Sequence, residues 1–210
     1  MTAGQAQHVL PTRGVVVSAV TRRELEAWTP VPEALARVSR FLDGYESYPL
    51  DPFLRRRGIN KALAEEYLPL VYVAQAADAA CVKLLPASNS GPDGAISFLS
   101  GDEWFAQITC SHEGADRASV RAQAASGEIA SRPTVDVDAR VERIVVGVRK
   151  KEANFHSGTD ALIILDDPDA LSFLREERLR DRVREAVRGE PSSQYHRIYV
   201  VYGCEVDRVR

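Results

Sequence analysis

Residues 90–111 read SGPDGAISFLSGDEWFAQITCS, and the fold turns on how this stretch is read. Residues 95–99 and 104–109 are short runs of apolar, aromatic and β-branched residues. The Ser100-Gly101-Asp102 cluster between them is turn chemistry, so the pair predicts a β-hairpin. Side chains alternate faces along a strand, which puts Trp104, Ala106 and Ile108 on one side and Phe105, Gln107 and Thr109 on the other. Asp93 enters from the turn Gly91-Pro92-Asp93-Gly94 just ahead of the first strand, at the hairpin end from which its carboxylate reaches toward Gln107. A carboxylate and an amide oxygen converging there are hard oxygen donors, the kind Mg²⁺ accepts while keeping several waters of its own.

Working outward, the first fifty residues predict a helical preface. Thr21-Arg22-Arg23-Glu24 is a capping-box pattern, and Val31-Pro32-Glu33 opens a second helix running toward Gly44. Residues 45–52 read as a connector. A helix from about Asn60, kinked or restarted at Pro69, ends near Ala79, and residues 81–85 form a strand ahead of the hairpin. Residues 113–133 are small and polar, with good helix formers at 118–125 and breakers at Gly127 and Pro133. Val141, Ile144, Val145 and Val148 recur at helical spacing within 139–153; then come a strand at 161–165, a charged helix over 168–188 and a last strand at 197–202.

Composition bounds what this order can build. The chain of 210 residues is 45% hydrophobic, enough for a full core, and divides into an N-terminal helical extension, 1–58, and an α/β core, 59–210. No apolar run approaches membrane-spanning length, and residues 1–10 lack the basic start and apolar core of a signal peptide, so a cytoplasmic protein without a membrane partner is expected. Cys81, Cys110 and Cys204 are odd in number and far apart, which argues against a disulfide framework or a zinc site and for reduced, buried thiols. The net charge of −3 gives no global pull toward nucleic acid, so any such contact must come from local basic patches.

At Asp93-Gly94-Ala95-Ile96 and Gln107-Ile108-Thr109 the chain resembles the PD-(D/E)xK, or restriction-endonuclease-like, nuclease superfamily. The nearest branch is the Mrr-like one, whose second motif often begins with Gln. The family lysine of that motif is Thr109 here. The resemblance covers about two-thirds of the chain. It implies an αβββαβ core with a mixed central sheet flanked by helices, plus one more strand behind a helix. It implies a metal-dependent phosphodiesterase, a DNA endonuclease of restriction or defence type, using Mg²⁺ or Mn²⁺. Asp93, the Gln107 oxygen, the Ile108 carbonyl and Glu66 would hold the ion, with nucleic acid, DNA foremost, as partner. A partner protein or a homodimer is the further partner class.

Helical angles single out two more residues. At about 100° per residue, Glu66 falls amid Ile59, Leu63, Tyr67 and Leu70 while Glu65 points away. A carboxylate in an apolar stripe is costly unless paired or metal-bound; the bland reading is a solvated edge beside a bend at Pro69. In the superfamily a Glu on the first core helix often reaches the metal. Lys151 lies on the flank of the buried stripe of its helix and Lys150 nearly opposite. By resemblance to members with a displaced lysine, Lys151 supplies the cation that Thr109 cannot; otherwise it snorkels to water.

Arg55, Arg56 and Arg57 are the candidate DNA contacts, whereas the alternating charges after Pro168 read as a solvated, ion-paired face. His112-Glu113 is weighed as a ligand or base and as an ordinary polar loop, and Asp166, Asp167 and Asp169 as caps of the next helix. No Gly-x-Ser-x-Gly elbow, phosphate-binding Gly-Lys loop or dinucleotide fingerprint occurs. Two rivals stand beside the nuclease reading. One is a lapsed nuclease scaffold serving as a DNA-binding or protein-interaction subunit, and the other an unrelated α/β fold in which the motif is coincidence.

Overall fold

The computed structural model describes residues 20–46, 59–86, 91–111, 137–166, 177–191 and 193–210. The expected capping box opens the first helix, α1 (Arg22–Leu25): the Thr21 amide donates to Glu24 Oε2 at 2.6 Å and Thr21 Oγ1 accepts from the Glu24 amide at 3.3 Å. A two-residue strand, β1 (Thr29–Pro30), leads into α2 (Val31–Glu46). A continuous helical run follows: α3 (Ile59–Lys61), a π-helical segment (Ala62–Tyr67) and α4 (Leu68–Ala76). The restart expected at Pro69 is this change of helix type. The Leu68 amide bonds five residues back to the Leu63 carbonyl, and Pro69, which has no N–H, falls in the first turn of α4.

The remaining elements are β2 (Cys81–Leu84), β3 (Gly94–Ser97), β4 (Glu103–Cys110), α5 (Val137–Ala153), β5 (Ala161–Asp166), α6 (Glu177–Gly189), β6 (Arg197–Tyr202) and β7 (Glu205–Arg208). The strands form one mixed seven-stranded sheet whose spatial order is the chain order. β1 to β4 are successively antiparallel, β4, β5 and β6 are parallel, and β7 returns antiparallel to β6. The protein is therefore α/β with a mixed sheet, and β1 and β7 are strands the sequence patterns did not announce.

Period-two alternation sorts the sheet into two cores. Ala106, Ile108, Ala161, Ile163 and Leu165 pack with Leu63, Tyr67 and Leu70 of the helical run and with Leu25, Val38 and Phe41 from the preface. Leu162, Ile164, Ile198 and Val200 face the other way, against Ile144, Val145 and Val148 of α5 and Leu179, Val183 and Val187 of α6. Every residue of β5 is buried, as a strand covered by helices on both faces requires. Each such aliphatic side chain contributes about 1.5–3 kcal/mol of transfer free energy. α5 and α6, the two parallel crossovers, lie on the same face, as successive crossovers of one hand advancing across a sheet must.

The hairpin turn is built as expected. Gly101 takes φ +90°, a conformation glycine adopts without steric cost, and the Phe98 amide bonds the Asp102 carbonyl at 3.0 Å across it. The cysteines depart from the expected burial: Cys81 and Cys110 are half-buried and Cys204 is exposed. Cys110, at the end of β4, packs against the edge of the first core. No helix among the described residues is long and apolar enough to cross a membrane.

Candidate functional site

β3 pairs with β4 only from Gly94 opposite Ala106 to Ser97 opposite Glu103, while β4 continues to Cys110 alongside β5. The continuation leaves a notch beside β4 just where β3 begins. Asp93 stands at its corner, its amide donating to the Ala106 carbonyl at 2.8 Å and its own carbonyl accepting from Leu85 at 2.9 Å. Its side chain turns into the notch, where Oδ2 accepts the Ile108 amide at 2.7 Å. A residue's N–H and C=O project to the same side of an extended strand. The Ile108 carbonyl therefore looks toward the same notch, beside Asp93.

The β3–β4 pairing ends at Gly94 opposite Ala106, and Gln107, paired with Leu162 of β5, belongs to the sheet face that carries α5. Gln107 is 2% exposed. Its Oε1 accepts a hydrogen bond from the Tyr195 hydroxyl, which also lies 3.3 Å from the Lys151 carbonyl at the end of α5. Thr109, two residues on, faces α5 at Gly147, where a Cβ built on the glycine would stand 3.9 Å from the Thr109 methyl. A small side chain at this slot suits the close approach of that helix.

Burial is the largest influence on Asp93 and pushes its carboxyl pKa above the ordinary aspartate value. The Ile108 hydrogen bond and the charges of Lys151 and Arg22 pull it down, and the charge of Glu66 pushes it up. Asp93 thus feels the charges of Glu66, Lys151 and Arg22 around the notch. Lys151 is half-buried and Lys150 exposed, the difference their helical angles predict.

Glu66 and Glu65 exchange the exposures a regular α-helix would give them. Glu65 is 7% exposed, while the Glu66 side chain is 30% exposed and paired to Arg22 at 3.0 Å. The π-helical turn is the reason, since its wider winding rotates residues away from their 100° positions. Arg22 also bonds Glu26 at 2.9 Å and the Leu85 carbonyl at 2.9 Å, fixing Glu66 to the start of the chain's described part.

Two residues of this neighbourhood escaped sequence reading. Arg22 was legible only as part of a capping box, and Tyr195, one aromatic in a polar loop, folds back across 88 positions to Gln107. Neither has a local pattern that would mark it. Burial and the nearby charges of Glu152 and Asp93 raise the Tyr195 pKa, so its hydroxyl is a protonated donor.

Asp166 is buried at 3% exposure, bonded to Arg140 and accepting from Ser111 Oγ at 3.1 Å; the helix start it is expected to cap lies outside the described residues. At the end of a fully buried strand its charge needs a partner close by. The charged helix α6 is ion-paired as expected: Arg180 with Glu205, Arg182 with Asp138, and Arg184 with Asp207 at 2.7 Å. Arg55, Arg56, Arg57, His112, Glu113, Asp167 and Asp169, with the expected helix at 118–125, lie outside the described residues. Among the described residues no group of three or more His, Cys, Asp or Glu side chains converges as a metal site would. Any ion at the notch would therefore rest on one or two carboxylates with amide and carbonyl oxygens, a donor set within the range of Mg²⁺. No family model, no curated protein and no solved structure matches the chain.

Proposed function

We propose that this chain is a metal-dependent phosphodiesterase of restriction-endonuclease-like fold that cleaves nucleic acid, DNA foremost. The observation that carries the reading is that the Asp93 carboxylate reaches β4 and accepts the amide of Ile108, the neighbour of Gln107 in that strand. A buried carboxylate held above its usual pKa beside a second carboxylate is unfavourable alone and is relieved by a cation. The succession of a helical run, three antiparallel strands, α5 and parallel β5 adds support, because it is the element order the resemblance implies.

Asp93, the Gln107 side-chain oxygen, the Ile108 carbonyl and Glu66 are the residues that would hold Mg²⁺ or Mn²⁺. When bound, such an ion lowers the pKa of a coordinated water and neutralises phosphate charge. Lys151 would orient the attacking water and stabilise the charge that grows on the phosphate. Arg55, Arg56 and Arg57 would meet the backbone, giving weak, salt-sensitive binding that a specificity element or partner completes.

Thr109 in the lysine slot and the capture of Glu66 by Arg22 favour a second reading, a scaffold of the same fold that binds without cutting. A cleavage assay separates them: purified chain with single- and double-stranded DNA and RNA, in Mg²⁺, Mn²⁺ or EDTA. The nuclease reading expects metal-dependent cutting that Asp93→Ala abolishes. Equal cutting by wild type and variant rejects the site, and absence of cutting with retained binding leaves the scaffold.

A further inference from the structure

We infer that Tyr195 is a positioning residue for the cation site proposed above: its hydroxyl sets the Gln107 oxygen and the last turn of α5 in place relative to Asp93. The inference rests on that nuclease reading and adds to it a residue from a different part of the chain. Tyr195 is 2% exposed, with its ring against Phe155 edge-on at 5.0 Å and 79°. Its hydroxyl is shared between the Gln107 oxygen on β4 and the Lys151 carbonyl on α5, so one group ties together the elements that carry a ligand and the proposed cation.

The chemistry of the amide makes this consequential. With its proton given to Gln107, the hydroxyl favours the orientation in which the carboxamide oxygen, and not the NH₂ group, faces Tyr195. A carboxamide oxygen has two lone pairs, and one remains for an ion. Without the donor, rotation about the last side-chain bond can put NH₂ hydrogens, which repel a cation, where the oxygen now stands.

The loop bearing Tyr195 is itself held to α5. Glu152, next to Lys151, accepts from Ser193 Oγ and from the Gln194 amide at 3.1 Å, and the Tyr195 amide donates to Ser193 Oγ at 3.0 Å. Loop and helix end therefore move as a unit, with the Tyr195 hydroxyl their link to β4.

Tyr195→Phe removes the hydroxyl and keeps the ring. The half-saturating Mn²⁺ concentration is read twice, from DNA cleavage and from the Mn²⁺-induced rise in melting temperature without DNA. Loss of such an outer partner costs about 10–100-fold in metal affinity, so both midpoints are expected to rise by at least about tenfold. The rate at saturating Mn²⁺ should fall much less. In a Gln107→Ala background the same substitution should leave the midpoints unchanged, since the group it orients is gone. A melting temperature that falls in both backgrounds with midpoints within about twofold of the parent would mean that Tyr195 merely holds the loop, and would overturn the inference. Wild type showing neither Mn²⁺ effect overturns the nuclease reading and this inference together. Wild type showing both, with an unmoved Tyr195→Phe, overturns this inference alone.

Discussion

Gly94, the residue after Asp93, has no room for a side chain. A Cβ built there would come closer than 3.0 Å to Leu70 Cδ2, with Leu70 Cδ1 and the Lys83 carbonyl both at 3.2 Å. Leu70 is fully buried in the first core, so its methyl cannot swing to solvent, and the carbonyl belongs to the neighbouring strand β2. Gly94→Ala must therefore shift α4 against the sheet or lift the start of β3. Overpacking of this kind costs about 1–3 kcal/mol, and at about 2–4 °C per kcal/mol for a chain of this size the melting temperature should fall by about 2–12 °C. Thermal and urea melts followed by circular dichroism in EDTA measure it. Leu70→Val, made in the Gly94→Ala background, should cost less than it does alone, with a coupling of about 0.5 kcal/mol or more. Additive losses, or a single variant melting within about 1 °C of wild type, would refute the packing argument.

Asp93 gives a pH prediction. Its carboxyl pKa is raised in the fold, so the protonated form is the one the fold favours; this contribution is present below the unfolded pKa and is lost as pH rises through the folded one. Asp93→Asn carries no such charge, so in EDTA its melting temperature should gain on wild type as pH rises from about 4 toward 7, and a constant difference would refute the assignment. Asp166→Ala strands Arg140 and Ser111 beside the core and should cost about 3 kcal/mol, or about 6–12 °C. Replacing Arg140 and Asp166 together by Met and Leu should recover much of that loss, and melts of these two variants beside wild type check both statements.

What could be read from the sequence follows the range of the forces involved. The hairpin strands, the faces of Trp104 and Gln107, the stripe from Val141 to Val148 and the bounds of β6 are set by periodic burial and turn residues within a few positions, and they stand in the structure where those patterns put them. β1 is two residues long and β7 follows β6 after a two-residue turn, too little sequence for a period to show. The π-helical segment reverses Glu65 and Glu66 because helix type answers to packing and to Pro69, which a fixed angle per residue ignores. The reach of Asp93 to β4 at Ile108 follows from its place at the end of the hairpin. The additions of Tyr195 and Arg22 depend on contacts spanning 88 and 44 positions, for which one sequence offers no local trace.

The two borders of the sheet bear on self-association. One is β1, a pair of residues ending in Pro30, which can offer no N–H to a docking strand; the other is β7, with exposed Glu205 and Arg208 already committed to Arg180 and to the Arg210 carbonyl. The β1 border gives a second copy little to add its strands to, while the charged side chains of β7 discourage an apolar neighbour there. Among the described residues, then, a second copy adding strands at the β1 border would find two residues, one of them without the N–H that a ladder needs.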